Sequence, residues 1–265
     1  MARWPKPMTC PMYELSLIGI GTGNPNHLTL EAVGALNAQD LILIPNKGAG
    51  KDDLAGLRRD ICSRVIQGAG PRIVEFDLPA RDEATQDYHQ RVDDWHDAIA
   101  GIWWQNITDE LPEGGKVGFL VWGDPSLYDS TMRIAARLEG KAALSLRIIP
   151  GITSIQALTA GHAIPLNEIN GPVTITTGRQ IRDHGWPEGA DTVVVMLDGA
   201  CSFTHLAPEE MQIWWSAYAG MENEIRLSGP VAEITETNKK ARAAARADHG
   251  WIMDIYLLRR DPSRD

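Results

Sequence analysis

Short apolar runs that end in glycine or proline alternate with amphipathic segments along the first 160 residues of the chain. Such runs are typical of buried strands, and segments with an apolar period of three to four residues are typical of helices. Strand, helix and strand in this spacing form βαβ units, which predict a parallel sheet. Strands are predicted at residues 13–20, 41–44, 72–78, 117–122 and 144–149, and helices from about residue 29 and at 82–110, 130–139 and 153–158.

The pattern restarts near residues 167–172, and the chain beyond has its own strands and helices. Strands are predicted at residues 173–177, 192–197, 224–231 and 251–258, and helices at 209–218, with its tryptophan pair, and at 238–248. The chain is therefore predicted to be an α/β protein with two domains. They cover residues 12–168 and 169–265, after an N-terminal extension of residues 1–11.

Composition narrows the class of protein. The chain has 265 residues, enough for two compact domains, and 43% apolar residues, an ordinary share for a soluble globular protein. A net charge of −10 disfavours nucleic-acid binding, and no apolar run approaches the roughly 18 residues that cross a bilayer. The start of the chain lacks the apolar core of a signal peptide, and three widely spaced cysteines argue against a disulfide framework or a zinc cluster. We expect a cytoplasmic protein with neither a nucleic-acid nor a membrane partner.

Candidate chemistry concentrates in three glycine turns, each at the carboxyl end of a predicted strand. They read GIGTGNP at 19–25, WGDPSLY at 122–128 and PGITS at 150–154. Open α/β sheets bind their ligands at this edge, so the three turns are predicted to line one cleft. In the second turn, Asp124 is a carboxylate that can accept hydrogen bonds from a hydroxyl or an amine. In the third, Thr153 and Ser154 can either cap the next helix or face a ligand.

A nicotinamide-binding site is a weaker interpretation of the first turn. The dinucleotide motif G-x-G-x-x-G has its third glycine replaced here, since Gly23 follows Gly21 by two residues. The acidic residue expected about twenty positions later is Asp40, but it precedes its strand instead of ending it.

Taken together, the motifs resemble those of the tetrapyrrole (precorrin) methylases. The family pattern G-x-G-P-G-D-P…L-L-T is similar to GIGTGNPNHLT at 19–29, with Thr22 in place of proline and Asn24 in place of the usual aspartate. The element G-D-P-x-x-Y matches residues 123–128. The elements P-G-[IV]-[ST]-[SA] and G-x-P-L match 150–154 and, with one extra residue, 161–166.

The resemblance implies an architecture and a cofactor. It implies two α/β domains, each a mixed, mainly parallel sheet flanked by helices, with the active site in the interdomain cleft, and a homodimer. The cofactor is S-adenosylmethionine, which leaves as S-adenosylhomocysteine. The implied cofactor-binding residues are Thr22, Trp122, Gly123, Asp124, Leu127, Tyr128, Thr153, Ser154, Met196, Leu197, Ala219 and Gly220.

Within the family, residues 44–54 and 196–203 are most similar to the enzymes that methylate C-1 of precorrin-5 and release acetate, giving precorrin-6A in aerobic cobalamin biosynthesis. The nearest alternative is another precorrin methyltransferase, such as one acting at C-20 of precorrin-2. Alternatives from other classes are a nucleotide-cofactor oxidoreductase and a non-catalytic tetrapyrrole carrier. Methyl transfer from a sulfonium needs alignment and exclusion of water more than a protein nucleophile, so no metal is predicted.

Two further roles are assigned by residue type alone. Release of acetate requires attack by water, which a general base assists, and the candidate bases are Asp40, His27, Asp198 and His205. The substrate carboxylates need local cations because the net charge repels them, and the candidates are Lys47, Lys51, Arg58, Arg179 and Arg182.

Overall fold

The computed structural model describes residues 11–46, 52–80, 84–85, 87–207 and 211–260. The chain forms two compact units. The first contains Pro25–Gly151 and the chain before Thr22, and the second contains Thr22–Asn24 and Ile152–Asp265.

The first unit is built on a five-stranded sheet in the order β3-β2-β4-β1-β5, in which every pair is parallel. Its strands are β1 (Met12–Gly19), β2 (Leu41–Asn46), β3 (Arg72–Asp77), β4 (Gly114–Val121) and β5 (Ala143–Ile149). Its helices are α1 (Leu30–Asn37), α2 (Asp52–Val65), α3 (Tyr88–Glu110) and α4 (Thr131–Ala136). The repeated strand–helix pattern of the sequence therefore predicted the parallel sheet correctly.

The helices cover opposite faces of this sheet. On one face α1 and α2 pack against the side chains of Ile18, Ile42 and Leu120, and on the other α3 and α4 pack against those of Leu17, Val117 and Phe119. Strand β4 leads to α4, whereas its neighbours β1 and β2 lead to α1 and α2 on the opposite face. Ligands of open α/β sheets bind where neighbouring strands diverge in this way, so both sides of the carboxyl end of β4 are candidate binding edges.

The second unit contains a mixed sheet in the order β6-β7-β10-β8-β9, and only β6 and β7 are parallel. Its strands are β6 (Val173–Thr177), β7 (Thr192–Met196), β8 (Met211–Ala217), β9 (Ile225–Pro230) and β10 (Asp254–Arg260), and its helices are α5 (Ser154–His162), α6 (Gly178–His184) and α7 (Val231–His249). The predicted α/β class with two sheets is confirmed, although the second sheet is mostly antiparallel.

One predicted helix is wrong. The described part of residues 209–218 is strand β8, which lies between β10 and β9. Its Met211, Ile213 and Trp215 side chains alternate into the core, while the ring of Trp214 lies under the guanidinium of Arg259 at 5.3 Å. Pairing on both edges, together with the β preference of isoleucine and tryptophan, outweighs the short-range pattern that favoured a helix.

Two helix boundaries differ from those predicted, and one helix was not predicted. Helix α3 begins at Tyr88, where Asp87 accepts hydrogen bonds from two backbone N–H groups, α7 begins at Val231, and α6 was not predicted. The two units divide at Gly151, before the domain boundary that the sequence pattern places at residue 168, because α5 contacts β8, β9 and β10 of the second sheet. The predicted N-terminal extension lies almost wholly outside the described residues.

None of the described helices combines the length and apolarity that a membrane span requires.

Candidate functional site

The three glycine turns meet at the carboxyl ends of β4, β1 and β5, which are adjacent strands. Gly123 N donates to Gly21 O at 2.7 Å, and Gly21 N donates to Gly123 O at 3.3 Å. A Cβ added to Gly151 would lie 2.0 Å from Gly123 O, and one added to Gly19 would lie 2.6 Å from Gly151 N. The backbones are in direct contact, so no larger residue fits at Gly19 or Gly151. We call this contact of Gly19, Gly21, Gly123 and Gly151 the glycine junction.

Asp124 links two of the turns. Its Oδ2 accepts from Gly151 N at 2.9 Å, and its Oδ1 accepts from the backbone N–H and the hydroxyl of Ser126. Burial alone would raise the pKa of Asp124, but the hydrogen bonds from Ser126 and Gly151 hold it below the usual value for an aspartate. The carboxylate is therefore ionised at neutral pH, and it holds the second and third turns together.

Three side chains project from the second turn. Trp122 is half-buried and packs with the core that α1 and α2 form, and Leu127 is also half-buried. Tyr128 is 45% exposed and has a φ of +50°, an unusual backbone conformation for a bulky residue. Strained residues of this kind cluster at ligand sites, where the surrounding structure maintains them.

Thr153 is the N-cap of α5. Its Oγ1 accepts from Ile155 N at 3.2 Å, and its own N–H donates to Gln156 Oε1 at 3.0 Å. The capping role that the sequence left open for Thr153 is therefore present. Ser154 is the first residue of the helix and is half-buried.

The second unit has its own loop of site candidates after β7. Leu197 is 67% exposed with a φ of +53°, and Met196 before it is half-buried. Asp198 is 6% exposed, and its carboxylate accepts from Ala200 N at 2.9 Å and Tyr256 Oη at 2.7 Å, and from both the N–H and the hydroxyl of Ser202. These bonds hold the loop in the conformation that exposes Leu197. After β8, Ala219 is buried and the turn residue Gly220 has a φ of +79°.

The four candidate bases lie in three places. His27 ends a 3₁₀ turn, Pro25–His27, and its Cβ lies 2.8 Å from where a Cβ of Gly21 would be, so it adjoins the glycine junction. Asp198 and His205 belong to the loop of the second unit, where His205 Nδ1 lies 3.3 Å from Ser202 O. Asp40 precedes β2 and accepts from Lys116 N at 2.8 Å. It therefore lies at the amino edge of the first sheet, about 20 Å from the junction at about 3.3 Å per residue of β4. That distance does not support a role for Asp40 at the junction.

The candidate substrate-binding cations differ in solvent exposure. Lys47 and Lys51 lie outside the described residues. Arg179 and Arg182 are exposed on α6, and Arg182 forms an ion pair with Asp183 at 2.8 Å. Arg58, by contrast, is only 5% exposed and lies within the first unit. The sequence carried a signal for this burial, since Arg58 falls on the apolar stripe of α2 with Ala55, Ile61 and Cys62.

Among the described residues, no group of three or more His, Cys, Asp or Glu side chains is arranged to hold a metal ion. Sequence reasoning missed Gly19, Gly151 and Ser126 as site residues. Gly19 and Gly151 are required by backbone contact, and Ser126 by its hydrogen bonds to Asp124. The sequence signal for all three was their place within the glycine turns, and not their side-chain chemistry.

A family model described as Tetrapyrrole (Corrin/Porphyrin) Methylases matches residues 14–235, which is most of the chain. The chain belongs to the tetrapyrrole methylase family. The match covers all three glycine turns and extends through β9 into the start of α7.

Among curated tetrapyrrole methylases, a "Precorrin-6A synthase [deacetylating]" of Sinorhizobium sp. is 50% identical over 256 residues, covering 96% of this chain and 98% of that protein. A "Precorrin-2 C(20)-methyltransferase" from Sinorhizobium sp. is 30% identical over 188 residues, covering 68% of this chain and 71% of its own length. Identity and coverage are both much higher for the first.

Two solved structures have a similar fold. A cobalamin synthesis related protein (CobF) of Corynebacterium diphtheriae superposes with a TM-score of 0.78 at 36% identity, covering 94% of this chain and 99% of that one. A uroporphyrin-III C-methyl transferase of Thermus thermophilus, complexed with S-adenyl homocysteine, superposes with a TM-score of 0.54 at 16% identity, covering 92% of this chain and 96% of that one. The second likeness concerns the fold alone.

Proposed function

We propose that this tetrapyrrole methylase is a precorrin-6A synthase (deacetylating), which transfers a methyl group from S-adenosylmethionine to C-1 of precorrin-5 and releases acetate. The observation that carries the proposal is the 50% identity to a protein of that name over nearly the whole of both chains. The precorrin-2 alternative has 30% identity over about two thirds of each chain, and the family match does not favour an oxidoreductase.

We propose that the cofactor binds at the glycine junction. Glycines in the turns let a ligand approach the backbone closely, and the carboxyl edge of a parallel sheet is where ligands bind in open α/β folds. The family's methylase chemistry and the S-adenyl homocysteine bound in the Thermus thermophilus enzyme support the choice of S-adenosylmethionine. The contacts proposed in the first unit are Trp122, Gly123, Asp124, Leu127 and Tyr128.

The protein contributes alignment to the methyl-transfer step. Bound S-adenosylmethionine would supply an electrophilic methyl group, so the protein would need to align the sulfonium with C-1 and would not need a nucleophile of its own. In the deacetylation, a water molecule attacks the acetyl carbonyl carbon and loses a proton to a base. The bond between that carbon and the macrocycle then breaks, its electron pair stays on the conjugated macrocycle, and the acyl group leaves as acetate. We propose His27 as that base, because among the four candidates it adjoins the glycine junction.

The reaction is tested by incubating the protein with precorrin-5 and methyl-labelled S-adenosylmethionine. We expect mass spectrometry to detect one labelled methyl group gained and the acetyl unit lost, with acetate released in equal amount to S-adenosylhomocysteine. Methylation without acetate, or methylation of precorrin-2 in place of precorrin-5, would reject the assignment.

Replacing Asp124 with asparagine is expected to weaken S-adenosylhomocysteine binding roughly tenfold, the effect of losing about 1.4 kcal/mol. The substitution Asp124→Asn turns one acceptor oxygen into an NH₂ group, which faces an N–H donor of Ser126 or Gly151. Titration calorimetry measures the change. The control is Glu139→Gln, which removes a carboxylate from an exposed position just past α4. Equal affinities for the two variants would contradict the linking role of Asp124.

We also propose that the protein is a cytoplasmic homodimer, which its family resemblance, its acidity and the free, buried thiols of Cys62 and Cys201 support. Light scattering after size exclusion tests the assembly: a homodimer has about twice the chain mass of 29.1 kDa. A mass equal to that of one chain at micromolar concentration would reject the dimer.

A further inference from the structure

Strands β2 and β4 separate before the carboxyl edge of the sheet. They pair only where Leu41–Leu43 face Val117–Phe119, after which β2 continues beside β3 alone. Val121 O accepts from Ile20 N after β1, so Leu120 O, one residue earlier, points the opposite way, toward the β2 side. The carbonyl of Leu120 therefore lacks the strand neighbour that would bind it.

Arg58 of α2 occupies this opening. Its Nε donates to Leu120 O at 3.2 Å, in the place of a strand N–H, and its Nη1 donates to Leu54 O at 3.2 Å. Nη2 donates to no residue in the part of the chain that the structure describes. The guanidinium is thus fixed beside the carboxyl end of β4, on the side of β2. Here β2 leads to a helix on one face of the sheet, and β4 leads to a helix on the other face.

Among the residues that the structure describes, no ion pair neutralises the charge of Arg58. The side chain is 5% exposed, and no carboxylate of the described residues lies within ion-pair distance of it. Burial lowers the pKa of Arg58 to about 10, and the more distant charge of Asp129 raises it only in part. A buried cation without an anionic partner is strongly unfavourable, and proteins retain one where an anion binds.

A second buried donor lies beside it. Trp122 Nε1 is inaccessible to solvent and has no hydrogen-bond partner among the described residues. The guanidinium carbon of Arg58 lies 5.3 Å from the centre of the Trp122 ring. Trp122 immediately precedes Gly123, the residue just past β4 that takes part in the glycine junction. Trp122 Nε1 is thus a buried donor without an acceptor among the described residues, beside a guanidinium whose Nη2 has none there either. This arrangement indicates that an acceptor group enters from a ligand.

We propose that Arg58 and Trp122 bind a carboxylate group of a ligand beside the end of β4. Guanidinium groups bind carboxylates through charge-assisted hydrogen bonds, and the indole N–H supplies one further donor. The inference rests on the proposed function, whose two ligands both carry this group. It is either the methionyl carboxylate of the cofactor or an acid side chain of the tetrapyrrole.

Two measurements distinguish these sources in the variant Arg58→Gln. The first is calorimetry with S-adenosylhomocysteine and with its decarboxylated analogue, and the second is the KM for precorrin-5. If the cofactor carboxylate binds, the affinity for S-adenosylhomocysteine falls at least tenfold and that for the analogue is unchanged. If a tetrapyrrole carboxylate binds, both affinities are unchanged and the KM for precorrin-5 rises at least tenfold.

The matched control is Arg59→Gln, at the next position of α2. Arg59 is exposed and pairs with Glu75 at 2.9 Å, so its replacement is expected to leave both ligand affinities and the KM within twofold of the unsubstituted protein. If Arg58→Gln behaves like this control, or if it weakens S-adenosylhomocysteine and the analogue equally, Arg58 only braces the end of β4 and the inference is wrong.

Two milder variants maintain the test if Arg58→Gln does not fold. Arg58→Lys keeps the charge but loses the forked geometry, and Trp122→Phe keeps the ring but loses Nε1–H. Each is expected to weaken the same ligand, about threefold or more, and unchanged affinity in both would overturn the inference. Turnover of the unsubstituted protein separates the two proposals. If it transfers no methyl group, the proposed function is wrong. If it transfers the methyl group but the variants bind both ligands normally, only the carboxylate site is wrong.

Discussion

Replacing Gly151 with alanine is expected to abolish detectable cofactor binding and to lower the melting temperature by about 10 °C, which corresponds to about 3 kcal/mol of lost stability. The new Cβ would lie 2.0 Å from Gly123 O and 2.9 Å from the backbone of Gly19. These neighbours are main-chain atoms at the ends of two strands, so the steric clash is relieved only if the three turns move apart. Scanning calorimetry and titration with S-adenosylhomocysteine measure the two effects.

Gly34→Ala provides the matched control. Gly34 lies within α1, and a Cβ there would meet nothing within 4 Å. Alanine in a helix is favoured over glycine by roughly 0.5–1 kcal/mol, so this variant is expected to be slightly more stable and to bind normally. A Gly151→Ala protein that bound S-adenosylhomocysteine within threefold of the unsubstituted one would show that the glycine junction does not form the cofactor site.

Replacing Asp198 with alanine is the second substitution with a large expected effect, about 3–5 kcal/mol of destabilisation. It leaves the hydroxyl of Tyr256, the N–H groups of Ala200 and Ser202 and the hydroxyl of Ser202 without their acceptor in a buried loop. Chemical denaturation measures the loss. Asp191→Ala, at an exposed position just before β7, is expected to change the free energy of unfolding by less than about 0.5 kcal/mol.

Asp198 also gives stability a pH dependence of definite sign. Burial alone would raise its pKa, but the hydrogen bond from Tyr256 and those from Ala200 and Ser202 bring it below the ordinary value of 3.8. A carboxyl whose pKa is lower in the folded state stabilises that state fully above the unfolded value and loses its contribution as the pH falls through the folded one. We therefore expect the stability of Asp198→Ala to fall less steeply below pH 3.8 than that of the unsubstituted protein. If the free energies of unfolding of the two proteins fall equally with pH in this range, the expectation is wrong.

The features that the sequence predicted well are local in the chain. Each glycine turn directly follows its strand, and parallel topology brings the ends of adjacent strands to one edge, so convergence of the turns followed from the strand–helix pattern. The capping role of Thr153 was likewise available from its neighbours, since Gln156 lies only three residues away.

The features that the sequence did not predict depend on distant partners. Asp124 meets Gly151, 27 residues away, and Asp198 meets Tyr256, 58 residues away, so neither hydrogen-bond network could be derived from local pattern. Strand β8 was assigned to a helix for a similar reason. Its register is set by β9 and β10, which follow it in the chain.

The glycine junction restricts how relatives of this protein can diverge. A contact made only of main-chain atoms cannot be adjusted by small steps in side-chain size, because the first carbon added at Gly19 or Gly151 already collides. We therefore expect relatives that act on another macrocycle to differ in the side chains around the glycine junction, such as Trp122, Leu127 and Tyr128, and not at Gly19 or Gly151.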